Sequence, residues 1–411
     1  MNWPTSPDAP LLGDGKRAVA IDQPSSVDEL RSIVANRASE GLAIYPQGGK
    51  TSLEYGGIPR RPGVALDVSR LDQVIDYPAA DMTITVQAGI TLAKLQATLA
   101  ENGQFLPLDA PDPEKATLGG IYATNTCGPR RFGWGRPRDM IIGVSFVTAD
   151  GKEIKGGGRV VKNVAGYDLP KLLTGSMGSL GVITQLTLKV RPRPESSALV
   201  AVEFSSMEAA VQAVHSLNLS ATRPVAVELL NGVGGEWVGL PSAKATLVLA
   251  YEDNANSVAW QVERICQEVR PSAARILESS DFSAVWSGLQ QFSALRQGPF
   301  SFVSSFRRSE AATNAGLLSP GWAARVHAGN GIIEAHSVHE LPIEQIEENF
   351  AHLTSSDGVF ANAVVTRCPT AWKERRNVWG KPRGEWAVMQ KIKTALDPAG
   401  VMNPGRYIGI M

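Results

Sequence analysis

The stretch Ile44-Tyr45-Pro46-Gln47-Gly48-Gly49-Lys50-Thr51-Ser52 carries residue types that can hold a diphosphate. The apolar run from Leu42 to Tyr45 predicts a buried strand that breaks at Pro46 into two glycines. Successive backbone N–H groups in such a turn point into one concavity and form an anion nest. Glycine permits the positive φ angles the turn needs and lets backbone approach a ligand closely. Lys50 adds a cation, and Thr51 and Ser52 add hydroxyl donors. The same residues would also make an ordinary tight surface turn. Position 44 is Ile where a Walker A loop needs glycine, and the spacing does not fit G-x-G-x-x-G.

Two further glycine-rich stretches could lie against a flat ligand. Leu118-Gly119-Gly120-Ile121-Tyr122-Ala123-Thr124-Asn125 runs on into Cys127-Gly128-Pro129-Arg130-Arg131-Phe132-Gly133-Trp134-Gly135. Regular pattern disappears over 111–134; a loop of that length in a compact domain is usually functional or disordered, and its small residues favour the first. A glycine-rich connection packed on itself is the other reading. Thr174-Gly175-Ser176-Met177-Gly178-Ser179-Leu180-Gly181 enters a long half-buried strand over 182–190.

The elements that must position these stretches follow from periodicity. Ser25 or Ser26 caps a helix whose stripe is Val27, Leu30, Ile33 or Val34 and Ala38. Residues 64–68 and 83–86 read as strands, and Thr91 caps a helix through Leu92, Leu95 and Leu99. Asp150-Gly151 joins a run over 140–148 to a return strand at 153–155 as a hairpin. Arg191-Pro192-Arg193-Pro194 closes this region, because two prolines cannot continue a ladder. Beyond 195, strands over 198–204, 224–230 and 245–251 alternate with helices over 207–217 and 257–269. That order predicts a helix-backed antiparallel sheet with Trp260, Trp286 and Trp322 in or near its core. The tail holds Asp397-Pro398-Ala399-Gly400-Val401-Met402-Asn403-Pro404-Gly405-Arg406, whose prolines and glycines specify a fixed loop.

The 411 residues allow two or three domains and a large core. Basic and acidic residues balance at 40 each, which points away from nucleic acid or an anionic membrane surface. No apolar run approaches the ~20 residues of a membrane span, and the N-terminus lacks a signal-peptide profile. Cys127, Cys266 and Cys368 show no metal spacing and cannot all pair, which fits a reducing, cytoplasmic compartment. Membrane association would then run through a partner at the inner face.

The order of these features resembles the FAD-binding family of vanillyl-alcohol oxidase and p-cresol methylhydroxylase (PCMH), over most of 20–195 and the tail near 396–406. Within it, Lys162-Asn163-Val164-Ala165-Gly166-Tyr167-Asp168 and Gly128-Pro129-Arg130-Arg131 look most like the E subunits of bacterial glycolate oxidases. The resemblance implies an α+β fold: a PCMH-type FAD-binding domain over 1–194, an α/β cap domain over 195–370, and a C-terminal segment over 371–411 returning to the FAD domain. It implies FAD as cofactor, held by Pro46, Gln47, Gly48, Gly49, Lys50, Thr51 and Ser52 at the pyrophosphate. Pro111, Thr117, Leu118, Gly119, Gly120, Ala123 and Thr124 would line the ring and ribityl side. Gly178, Gly181, Val182 and Ile183 would meet adenosine and the ring, and Asn403 would approach the flavin. No His precedes position 215, so the FAD is expected to be non-covalent.

The implied partners are a larger flavoprotein subunit and an iron–sulfur subunit, which together with this chain would oxidise glycolate to glyoxylate and pass electrons to a respiratory acceptor. Related D-2-hydroxyacid dehydrogenases carry a His-x-Gly-Asp-Gly-Asn-x-His metal motif. Here the stretch is His327-Ala328-Gly329-Asn330-Gly331-Ile332-Ile333-Glu334, so Glu334 stands where the second His would be. His327 and Glu334 are the candidate catalytic pair for a small 2-hydroxy acid, and no metal is expected. Two alternatives stand beside the subunit reading: a self-sufficient D-2-hydroxyacid (D-lactate) dehydrogenase, and a flavin-free structural subunit.

Overall fold

The computed structural model describes the chain apart from residues 1–2, 5, 159–165, 271–274, 278–281, 319, 356–361 and 409–411. The Lys162 to Ala165 part of the subunit-like motif lies outside the described residues. Two compact units form: Met1–Cys127, Arg136–Arg193 and Pro369–Met411 make the first, Gly128–Gly135 and Pro194–Cys368 the second. The loop 128–135, read in the sequence as a continuation of 118–125, thus packs with the second unit.

The first unit holds two principal sheets. In one, Gly63–Asp67 lies between Ala20–Asp22 and Ala43–Gln47, all parallel. The other is antiparallel, ordered Glu153–Gly157, Ile141–Val147, Val182–Lys189, Thr83–Gln87 and Val74–Asp76. The helix Val27–Ser39 starts where Ser26 Oγ accepts from the Glu29 N–H, and Glu29 reaches back to the Ser25 N–H at 2.8 Å. Its Leu30 and Val34 join Ile44, Leu66, Val147, Val182 and Met402 in one core. Burial of such apolar surface supplies the main favourable contribution, ~25 cal/mol per Å2.

The C-terminal segment is built into that core. Met402 bridges Ile44 in parallel, the Ile44 N–H donates to Val401 O at 2.8 Å, and the Asn403 N–H donates to Ile44 O at 2.8 Å. From the helix Trp386–Leu396, buried Lys393 donates to Ser179 O at 2.7 Å and to Met402 O at 2.8 Å, and pairs with Asp397. Arg406 and Lys373 both hold buried Asp14, at 3.1 and 2.7 Å. A charge buried this deeply is tolerable because it is paired and hydrogen-bonded.

The second unit is an eight-stranded antiparallel sheet. Its order is Arg275–Leu277, Ser196–Phe204, Ala245–Asp253, Ala226–Asn231, Trp322–His327, Ile332–Ser337, Ser301–Ser305 and Asn362–Arg367. Helices including Met207–Ser216, Ala255–Val269 and Phe282–Gln291 accompany it. Trp286 and Trp322 are buried, but Trp260 is 51% exposed and is no part of the core. Two other expectations change. Residues 118–124 are helical (Leu118–Thr124) because Thr117 caps them, its Oγ1 accepting from the Gly120 N–H. Arg191–Pro192 pairs with Gln104–Phe105, since the first proline needs no N–H at a two-residue edge.

Candidate functional site

One cavity in the first unit gathers nearly all the predicted cofactor residues. Pro46, Gln47, Gly48, Gly49, Lys50, Thr51, Ser52, Pro111, Thr117, Gly119, Gly120, Ala123, Thr124, Gly178, Gly181, Val182, Ile183 and Asn403 line it. Leu118 does not: it is fully buried, and its N–H donates to Ile90 O at 2.9 Å.

Close backbone packing shapes the cavity. A Cβ on Gly48 would sit 2.1 Å from Thr117 Oγ1, and one on Gly49 would sit 1.7 Å from Lys115 O. The turn after the strand Ala43–Gln47 therefore presses directly on residues 115–117, and only glycine permits it. Opposite lies the turn at 175–178. The Gly175 N–H donates to Tyr122 O at 2.9 Å and the Met177 N–H to Ala123 O at 2.8 Å. Gly178 has φ +64, and a Cβ there would meet Pro46 Cγ at 3.5 Å and Asn403 Nδ2 at 3.7 Å. Asn403 donates through Nδ2 to Met177 O. Four segments far apart in sequence thus converge on one concavity.

The donor inventory fits FAD. Among the described residues, the backbone N–H groups of Gly48, Gly49, Lys50, Thr51 and Ser52 donate to no protein acceptor. Gln47 Oε1 is buried without a partner, while its Nε2 donates to Leu11 O at 2.9 Å. Unsatisfied polar groups at a cavity wall call for a ligand or water. Lys50 contributes backbone more than charge. Its φ is +59, and its ammonium lies 2.9 Å from the Asp67 carboxylate. Burial works to raise the Asp67 carboxyl, but hydrogen bonds from Ser69 and Lys50 outweigh it and hold the group below its ordinary value.

The sequence reading missed Tyr45, Tyr55, Thr126, Met177 and Arg406, which also line the cavity. Arg406 donates to Leu12 O at 2.6 Å and to Tyr55 O at 3.1 Å. An arginine closing an Asn-Pro-Gly loop was the available signal. No His lines this cavity among the described residues, and Cys127 is not part of its wall.

His327 and Glu334 share one face of the second unit's sheet, within a buried polar network. His327 Nδ1 donates to Glu228 Oε1 at 2.7 Å, across paired strands. Arg325 pairs with Glu334, donates to Leu289 O and stacks on Phe292, with 4.8 Å from guanidinium to ring centre. His336 lies 3.4 Å from Glu334 and bonds Ser301 Oγ at 2.7 Å through Nδ1. Burial raises the Glu334 carboxyl, yet Arg325 and then His336 hold it well below the carboxylate range. Such a carboxylate is a weak base. Burial pushes His327 below its ordinary value, and Glu228 opposes this without cancelling it. Among the described residues, no three His, Cys, Asp or Glu side chains gather as a metal site.

Two outcomes follow. Gly49→Ala forces a clash with backbone and should weaken FAD binding at least 100-fold by fluorescence titration of apoprotein, whereas Lys50→Ala should stay within about tenfold, as expected for a hydrogen bond to a charged group that is only partly engaged. Equal losses would place the diphosphate on the lysine. For His327, the folded value lies below the unfolded one, so the unfolded chain takes up the proton first. Its contribution to stability is present above about pH 6.5 and is lost as pH falls below that. His327→Gln should therefore flatten the fall in Tm between roughly pH 7 and 5, and an unchanged slope would contradict the assignment.

The family described as "FAD binding domain" matches residues 18–157, and "FAD linked oxidases, C-terminal domain" matches 193–237 and 373–407. The chain is 26% identical to glycolate oxidase subunit GlcD of Bacillus subtilis (strain 168), over 94% of this chain and 88% of that protein. It is 27% identical to D-lactate dehydrogenase of Archaeoglobus fulgidus, over 94% and 91%. Glycolate oxidase subunit GlcE of Escherichia coli (strain K12) is 42% identical over 36% of this chain and 42% of that protein. Among solved structures, p-cresol methylhydroxylase with substrate bound superposes with TM-score 0.70 at 17% identity, covering 94% of this chain and 88% of that one. The chain is an FAD-dependent oxidoreductase with the PCMH-type FAD-binding fold, and its homologues include glycolate oxidase subunits and D-lactate dehydrogenases.

Proposed function

We propose that this chain is the FAD-bearing subunit of a glycolate-oxidising complex. The diphosphate of a non-covalent FAD would sit on the N–H groups of residues 48–52, with Gly119, Gly120, Ala123, Thr124, Gly178, Gly181 and Asn403 around the rest of it. The observation that carries the cofactor part is the row of N–H groups without protein acceptors along the cavity. Bound FAD supplies a two-electron acceptor for oxidation of an alcohol beside a carboxylate. The 42% identity to a GlcE subunit over part of the chain, beside full-length similarity to GlcD, supports glycolate and a multi-subunit setting.

The second unit supports a subunit role over a self-sufficient dehydrogenase. Oxidising a 2-hydroxy acid needs a base for the hydroxyl proton and a cation for the carboxylate. His327 and Arg325 have those types, but each is committed: His327 to Glu228, and Arg325 to Glu334 and Leu289 O. Electrons would then leave through a larger flavoprotein subunit and an iron–sulfur subunit, in a cytoplasmic assembly that meets a membrane through those partners. No helix among the described residues is long and apolar enough to cross a membrane.

The test is anaerobic mixing of the purified, FAD-loaded chain with excess glycolate or D-lactate. The oxidised flavin band should persist for minutes, since loss of a positioned general base alone costs ~100- to 10,000-fold. Rapid bleaching by D-lactate, lost in Glu334→Gln, would instead establish the self-sufficient dehydrogenase.

A further inference from the structure

The second unit contains a cavity of about 790 Å3 that none of the flavin-side residues lines. Its apolar wall is the short helix Arg131–Trp134, through Phe132 and Trp134, with Val225 and Val227 beside it. That wall is fixed in place. The Gly133 N–H donates to Val225 O at 3.0 Å, and a Cβ on Gly133 would lie 2.7 Å from Val225 Cα. The Phe132 ring lies on Gly329, where a Cβ would come within 2.2 Å of it. Trp134 Nε1 donates to Glu252 Oε2 at 2.9 Å, and Arg130 holds Oε1 of the same carboxylate at 2.6 Å.

Two arginines, Arg223 and Arg308, and two carboxylates, Glu252 and Asp253, line the cavity, but they are not equally engaged. Glu252 is answered by Arg130, and Asp253 accepts from the Asn254 N–H and Ser257 Oγ, each at 2.8 Å. On the rim, Arg223 Nη1 is tied to the carbonyls of Thr222 and Ala221 at 3.0 and 3.3 Å. Arg308 is exposed and, among the described residues, makes no hydrogen bond or ion pair. Arg308 thus lines the same cavity as the preformed apolar wall, with its side chain uncommitted among the described residues.

We propose that this cavity binds an amphipathic anion: a carboxylate, sulfonate or phosphate on an apolar body, with Arg308 as the anion anchor and Phe132 and Trp134 as the wall. The volume falls in the range of small-molecule sites, ~300–1,000 Å3. A guanidinium fork matches a planar or tetrahedral oxyanion with paired N–H donors. Because the wall is clamped before any ligand arrives, little ordering is needed on binding.

The test is calorimetric titration of the FAD-saturated protein with 8-anilinonaphthalene-1-sulfonate, which combines both chemistries. One saturable site is expected, with the visible flavin spectrum unchanged. Arg308→Ala should weaken binding at least tenfold, Arg308→Glu more, and Arg308→Lys less than Arg308→Ala. Octanoate should compete and octanol of the same length should not. Absent or non-saturable binding, equal affinity in Arg308→Glu, or equal competition by octanol would overturn the proposal. A perturbed flavin spectrum would do so too, by placing the probe at the other cavity.

Discussion

A row of peptide N–H groups without protein acceptors, reachable from solvent, is open to an anionic ligand, and this chain's first unit is arranged around one. Each such group at residues 48–52 would gain ~1 kcal/mol or more from a partner, and more from a charged one. The turn stays open because its glycines are pinned against residues 115–117, with no space left for a side chain. Behind it, Ile44 is bonded on both sides of its peptide by Val401 and Asn403. The C-terminal segment therefore acts as a fastening for the strand that carries the nest. Buried Lys393, tied to Ser179 O, Met402 O and Asp397, holds the same corner from the other side. A ligand with two linked phosphates is the natural complement to such an arrangement.

The second unit solves a different problem with the same economy of charge. Glu228, Arg325, His327, Glu334 and His336 are all nearly inaccessible to solvent. Strand pairing sets Arg325 opposite Glu334 and His327 opposite Glu228, so their burial is made tolerable by register alone. Removing one partner from such a set leaves an uncompensated charge, which costs ~3–5 kcal/mol. A histidine and an arginine are present here but each is committed to a carboxylate.

Most of the flavin cradle was legible in the sequence because its signals are local. Glycines at 48, 49 and 119 mark close approach, Gly178 marks a positive φ, and Asn403 sits in a loop that proline and glycine make rigid. Leu118 misled because a residue next to two cavity glycines can still point into the core. The loop marked Arg406 as fixed but not its partners, because Asp14, Leu53 and Tyr55, which it contacts, lie 351 to 392 positions away. The helix over 118–124 escaped for another reason: glycines lower helix propensity, and Thr117's cap outweighs them. Nothing in the spacing of His327 and Glu334 could reveal that Arg325, two residues from the histidine, claims the carboxylate.

Amide hydrogen exchange at residues 48–52 tests the central claim most directly. Without cofactor these N–H groups should exchange as fast as exposed loop amides. FAD should protect them, ADP should protect them as well because it carries the diphosphate, and riboflavin should not. Protection by riboflavin, or none by FAD at saturating concentration, would show that the turn is not where the diphosphate is held.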